Sequence, residues 1–223
     1  VFLSDAEKIK SVLKEKSFSE LKALWACNDK ITEQNIERLS SMNLREKLTP
    51  AILSYDGIAY QYMAPTVFET EMLRYVQEHL RILSGFYGIL KPMDGVSPYR
   101  LEMQAKLEIC GAKNLYAYWG DRLYRELKDS SGIIVNLASK EYAKCIEKYL
   151  RPEDRYISCN FYEEAQGKLV QKGVYCKMAR GEMVRFMAEN RIEEPEEIKL
   201  FSVMGYRFSK DLSSEKEYIF VRK

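Results

Sequence analysis

Apolar residues recur at helical spacing through the first third of the chain and give way to short apolar runs in the second half. Ile9, Val12 and Leu13 share one face of a helix predicted over 5–15, opened by Ser4-Asp-Ala-Glu7. In such a capping box a hydroxyl and a carboxylate satisfy the free N–H groups of a helix start. Ser17-Phe-Ser-Glu20 repeats the signal before a short helix through Leu21, Leu24 and Trp25, and a third helix is predicted over 33–46, with Pro50 beyond it. Tyr55-Asp-Gly57 breaks an apolar stretch as a turn or a strand end. Thr66-Val-Phe-Glu69 then reads as another capping box. Phe68, Met72, Val76, Leu80 and Leu83 follow at spacings of three and four, the stripe of a helix buried on one side. That helix runs into Gly85-x-x-Gly88.

The second half is mixed. Ile133–Leu137 is a β-branched run that predicts a buried strand, and Ser139 caps a helix predicted over 140–149. Strands are predicted at Tyr156–Phe161 and Leu169–Tyr175, on either side of a polar turn, Glu163–Gly167. A helix follows over 177–191. Phe201–Phe208 and Tyr218–Val221 close the chain as strands joined by the Ser209–Glu217 loop. Helices first and strands later favour an α+β (mixed α/β) fold. The 223 residues suffice for a single domain over 1–223, with a helical part over about 1–50.

The charge changes little in this picture. Thirty-five basic and 33 acidic residues leave a formal net charge of +2, so a polyanionic partner requires a local basic patch. The five cysteines, at 27, 110, 145, 159 and 176, show no C-x-x-C spacing, which reads as reduced thiols in the cytosol. With His79 the lone histidine, a zinc site would need ligands from distant segments. No apolar run approaches the roughly 20 residues of a membrane span.

Several stretches carry candidate chemistry. At Gly85-x-x-Gly88, with Arg81, Lys91 and Arg100 nearby, backbone N–H groups can approach a phosphate. The plainer alternative is a helix end and tight turn. Residues 166–191 hold six cations against two acids. Within this stretch Lys177 and Arg180 lack acidic neighbours on their helix, whereas Arg185 has Glu182 and Glu189 at i−3 and i+4. Gly181, inside the helix, implies that something passes close by, a ligand or a packed neighbour. The aromatic run Tyr116-Ala-Tyr118-Trp119 is either a base-stacking platform or core. Asp121, Asn136 and Ser139 are the residues around which an enzyme acting on nucleic acid or a nucleotide would be built. No P-loop, G-x-S-x-G, H-E-x-x-H or dinucleotide fingerprint is present. His79 lies near the apolar stripe, as a hydrogen-bonded structural histidine. Glu193-Glu194-Pro195-Glu196-Glu197 reads as a solvated turn.

These segments resemble the YaaA-like family of bacterial peroxide-stress proteins. The resemblance rests on His79-Leu-Arg-Ile-Leu-Ser-Gly-Phe-Tyr-Gly-Ile-Leu-Lys-Pro, Pro98-Tyr-Arg-Leu-Glu-Met103, Tyr118-Trp-Gly-Asp121, Val135-Asn-Leu-Ala-Ser139 and Lys177-x-Ala-Arg-Gly-x-Met183, in the family's order over most of residues 48 to 222. The family's opening Ser-Pro-Ala-Lys type of segment is not in this chain. The resemblance implies a cytoplasmic protein of hydrogen peroxide defence that keeps free iron low. It also implies a single-domain fold of unusual topology and a helix-hairpin-helix element in a basic cleft, placed at Phe68–Pro92. It implies largely sequence-independent DNA binding, no cofactor and no established enzymatic activity. Gly85, Gly88, Arg81, Lys91, Arg100, Lys177, Arg180 and Arg185 are the expected phosphate contacts.

Overall fold

The structure is a computed structural model and describes residues 1–222. In chain order its first elements are α1 (Leu3–Lys14), α2 (Phe18–Trp25), α3 (Asp29–Ser41), β1 (Thr49–Pro50), α4 (Ala51–Ser54), α5 (Ile58–Met63), α6 (Thr70–His79), β2 (Ile82–Ser84), β3 (Gly88–Leu90) and β4 (Gly95–Val96). They are followed by α7 (Leu115–Trp119), α8 (Arg122–Leu127), β5 (Ile133–Asn136), α9 (Lys140–Glu147), β6 (Arg155–Ala165), β7 (Lys168–Val170), α10 (Gly173–Asn190), β8 (Tyr206–Phe208) and β9 (Glu217–Arg222). Helices with a mixed sheet make the fold class the one the sequence predicts. Among the described residues no helix is long and apolar enough to cross a membrane.

The chain divides into two compact units, each assembled from separate stretches. The first comprises Val1–Ser54, Arg81–Leu127 and Ser139–Tyr149. Its N-terminal helices bury one stripe each, with Ala6, Ile9 and Leu13 of α1 and Leu21 and Trp25 of α2 inside. The capping box at Ser17 forms as predicted, Ser17 and Glu20 each closing on the other's backbone. The one at Ser4 does not: α1 starts two residues earlier, after Phe2, without a side-chain cap. α3 begins at Asp29 rather than 33, because Asn28 caps it by accepting from the Ile31 amide at 3.0 Å.

The second unit comprises Tyr55–Leu80, Lys128–Ala138 and the chain from Leu150 onward. Its five-stranded sheet runs β5-β6-β9-β8, with β7 also paired to β6. β5 and β9 lie parallel to β6, while β7 and β8 run antiparallel to their partners. β6 alternates strictly: Ile157, Cys159, Phe161 and Glu163 are buried, and the residues between them are not. The tight turn into β7 has positive φ at Gln166 and Gly167, so β6 extends further than the polar residues suggest. Ile157, Cys159 and Phe161 pack with Cys176, Ala179 and Met183 of α10 and with Phe201, Tyr206, Tyr218 and Phe220.

The helix predicted to lead into the glycines ends early. Ala64 adopts a left-handed conformation and Pro65–Val67 forms a 3-10 turn, so the Thr66–Glu69 capping box does not form and α6 starts at Thr70. Leu80 is already extended (φ −80°, ψ 137°), and Ile82–Ser84 pairs as β2 with β3. Antiparallel pairing has overridden the helical stripe. The helix-hairpin-helix expected at Phe68–Pro92 is therefore a helix followed by a β-hairpin.

Gly181 sits in α10 where α5 crosses it. A Cβ there would lie 2.0 Å from the Ala59 carbonyl oxygen and 2.8 Å from the Met63 amide nitrogen. The close neighbour inferred from this glycine is thus a helix. Gly181→Ala should cost about 3 kcal/mol or more, because backbone rather than a flexible side chain fills the space. Urea unfolding checks this: the midpoint should fall with little change in slope. An unchanged midpoint would contradict the packing.

Candidate functional site

The glycine bend is buried. Every residue from Ser84 to Leu90 is buried. β2 and β3 are registered Ile82 to Leu90, Leu83 to Ile89 and Ser84 to Gly88. The Ser84 Oγ accepts from the amides of Phe86 (3.1 Å) and Tyr87 (2.8 Å), the groups a phosphate would need. A Cβ on Gly85 would stand 2.7 Å from the Leu101 carbonyl oxygen, and one on Gly88 (φ +76°) 2.9 Å from the Trp119 ring. The Trp119 Nε1 donates to the Gly85 carbonyl at 3.1 Å. Phe86, Tyr87 and Tyr99 pack ring on ring. Gly85 and Gly88 are therefore packing residues of the first unit. Their expected role as backbone phosphate ligands is corrected by this burial.

The predicted cations are divided between the units. Arg81, Lys91 and Arg100 belong to the first, and Lys177, Arg180 and Arg185 to the second. Arg81 is half-buried and Lys91 exposed. Arg100 donates to the Trp25 carbonyl (3.3 Å) and pairs with Glu102 at 3.2 Å. Arg185 pairs with Glu189 at 2.7 Å, as their spacing predicts. Lys177 is exposed. Arg180 turns inward: its Nε is buried with no hydrogen-bond partner, and burial pushes its pKa down.

The sheet carries a row of polar groups that the sequence reading missed. Glu163 of β6, Arg222 of β9 and Tyr206 of β8 stand in register across three strands. Glu163 is 8% exposed and Tyr206 fully buried, and Glu163 Oε1 and the Tyr206 hydroxyl have no hydrogen-bond partner. The other Glu163 oxygen pairs with Lys172 at 2.7 Å. Arg222 lies over the Tyr175 ring at 4.9 Å. Burial pushes the Tyr206 phenol up to about 12 and raises the Cys176 thiol. The signal for this row lay in the alternation of β6, which places a carboxylate among core positions.

The enzyme-like candidates are held locally. Asp121 pairs with Arg125 at 2.5 Å, and Asn136 accepts from the Ala138 amide and donates to Ser158 Oγ. Ser139 occupies the cap position of α9 without a side-chain cap bond. His79 pairs with Glu193 at 3.3 Å and packs on Tyr75, a structural role as expected. The acidic cluster is only partly solvated in the sense predicted, since Glu196 bonds to Arg155, Lys199 and Tyr218. Trp119 is fully buried core. Its neighbour Tyr118 donates to Asp5 at 2.8 Å, and Arg122 pairs with the same carboxylate at 2.9 Å. Among the described residues no three His, Cys, Asp or Glu side chains are placed to share a metal ion.

Fold and geometry thus define a mixed α/β protein with a buried glycine hairpin and a basic helix start. Residues 1–212 match the family model described as Peroxide stress protein YaaA, and the chain belongs to that family. Among its relatives, the UPF0246 protein of Agathobacter rectalis is 63% identical, covering 100% of this chain and 90% of its own length. That of Lachnoclostridium phytofermentans is 51% identical over 99% of this chain and 87% of its own, and that of Ligilactobacillus salivarius 50% over 100% and 90%. Membership supports a role in the peroxide stress response.

Gly85→Ala and Gly88→Ala should each lower stability by about 2 kcal/mol or more, while Lys91→Ala stays within about 0.5 kcal/mol of the parent. Chemical unfolding of the three variants measures this, and equal stabilities would contradict a packed hairpin. Burial pushes the Asp5 carboxyl up, but hydrogen bonds from Arg122 and Tyr118 outweigh it and hold the pKa below its ordinary 3.8. The ionised group therefore contributes stability above that range, and the contribution disappears as pH falls through the lowered value. Melting temperatures of Asp5→Asn and parent should differ at pH 7 and converge as pH falls below 3.8; a constant gap would show that Asp5 acts otherwise.

Proposed function

We propose that the chain serves the peroxide stress response as a non-enzymatic, cytoplasmic DNA-binding protein. It holds phosphates largely without regard to base sequence and so limits free iron, DNA damage or both. The observation that carries this reading is the stretch from Lys168 to Gly181. It contains Lys168, Lys172, Lys177 and Arg180 and no acid. The three lysines are exposed. They surround the start of α10, an 18-residue helix whose cap residue, Lys172, makes no side-chain cap and whose first turn has no acidic residue. The positive end of the helix dipole thus adds to the lysines where an anionic strand would lie. Arg81, Lys91 and Arg100 remain candidate contacts of the first unit. Lys177 leads in the second, since Arg180 faces inward and Arg185 is paired.

Binding of this kind releases counterions and weakens steeply with salt, with non-specific dissociation constants on the order of 10⁻⁴ to 10⁻⁶ M at physiological salt. Fluorescence anisotropy on two duplexes of unrelated sequence tests it. A Lys168→Glu, Lys177→Glu double variant should lose affinity for both alike and show a salt slope shallower by about 2. Parent affinity that does not respond to salt, or a double variant that binds normally, would overturn the reading.

A further inference from the structure

Independently of the DNA reading, we infer that the outer edge of β5 is a docking site for one further strand, parallel to β5, and that the strand comes from the part of the relatives' chain outside their match with this one. β5 stands at the end of the sheet and is paired on one side only, with β6. The Gly132 carbonyl accepts from the Arg155 amide at 2.8 Å, which fixes the phase of this parallel ladder. The backbone groups of Ile134 and Asn136 therefore turn to β6, and those of Ile133, Val135 and Leu137 turn away. One of the latter is closed locally. The Ile133 amide donates to Ser131 Oγ at 3.1 Å, and that hydroxyl donates to Asp129 at 2.6 Å. At the other end the Asn136 side chain accepts from the Ala138 amide at 2.9 Å. Between these two stops the Ile133 carbonyl, the Val135 amide, the Val135 carbonyl and the Leu137 amide have no hydrogen-bond partner among the described residues.

The closed Ile133 amide sets the direction. In a parallel ladder one residue of the incoming strand donates to the Ile133 carbonyl and accepts from the Val135 amide. The residue two further on donates to the Val135 carbonyl and accepts from the Leu137 amide, with no call on the Ile133 amide. An antiparallel strand, including a second copy of β5 across a twofold axis, would need that amide. Composition fits an occupied edge. Ile133, Ile134, Val135 and Asn136 carry no charge and no proline, the usual guards of a free edge, and all are half-buried. At the sheet's other margins β7 and β8 present exposed Lys168 and Arg207. Val135 and Leu137 lie at the rim of the core that Ile157, Cys159 and Phe161 form with α10. A strand with an apolar residue at every second position would continue that core and cover both. The relatives have the length for it. The Agathobacter rectalis protein is covered to 90% of its length, that of Lachnoclostridium phytofermentans to 87% and that of Ligilactobacillus salivarius to 90%. A strand opposite 133–137 needs only about five residues.

The test needs the full chain and a synthetic peptide with the sequence of the Agathobacter rectalis protein outside the match, and no DNA. Titration should show saturable binding, with amide hydrogen exchange at Val135 and Leu137 slowed at least roughly tenfold and exchange in β7 unchanged. Two further peptides, N-methylated at alternate residues in the two possible phases, separate strand pairing from apolar adhesion. An edge strand turns every second amide to its neighbour, so one phase should abolish binding and the other keep it. Joining the segment to the chain in the relative's order should protect the same two amides without added peptide and raise the melting temperature. Absence of saturable binding would overturn the proposal, as would protection outside 133–137 or equal binding of the two methylated peptides. Protection of Val135 that grows with protein concentration in the absence of peptide would assign the edge to a second copy and overturn it too.

Discussion

Backbone pressed on backbone, with no room for a methyl group, is the constraint on which both units depend. In the first unit Gly85 meets the Leu101 carbonyl. In the second, Gly181 meets the Ala59 carbonyl, and α10 can lie against α5 only because of it. Such contacts leave no slack, since a packed interior cannot absorb even one added carbon without moving backbone. They also explain why the two glycine motifs that look most like ligand sites in the sequence are places already filled by neighbouring atoms. Glycine permits close approach of a phosphate and of a carbonyl alike, and here the carbonyl occupies the space.

Once α10 is seated on α5, its first turns are fixed over the sheet. Cys176, Ala179 and Met183 complete the apolar core, while Arg180 is carried inward with its Nε buried. The helix therefore has two chemistries. Lys172 and Lys177 stand outside as exposed cations, and buried donors lie beneath. On the reading proposed, the outer set contacts nucleic-acid backbone.

Much of the fold was legible because local signals and tertiary contacts agreed. Ser17 and Glu20 form their reciprocal cap, Ile133–Asn136 is a strand, the start of β6 falls at its predicted position, and the predicted Tyr218–Val221 lies within β9. The failures have a common cause. Leu80 and Leu83 fit a helical stripe, yet pairing of Ile82–Ser84 with Gly88–Leu90 gives more to the backbone than one further helical turn would. Leu169–Tyr175 divides into a three-residue strand and the start of α10, and Phe201–Phe208 keeps only Tyr206–Phe208 as a strand. The site was legible in its charge and not in its geometry. A cation surplus can be counted, but which of Lys177, Arg180 and Arg185 faces outward depends on which side of α10 meets the sheet. The Glu163–Arg222–Tyr206 row depends on strand register between distant segments, which no local window contains.

The central claim is that a phosphate backbone meets the start of α10 and not the glycine hairpin. Amide hydrogen exchange of the full chain with and without a DNA duplex tests it most directly. The account predicts added protection over residues 168–181 on DNA binding, with no change at 85–90, whose amides are already enclosed. Protection that appears at the hairpin and spares the start of α10 would contradict it.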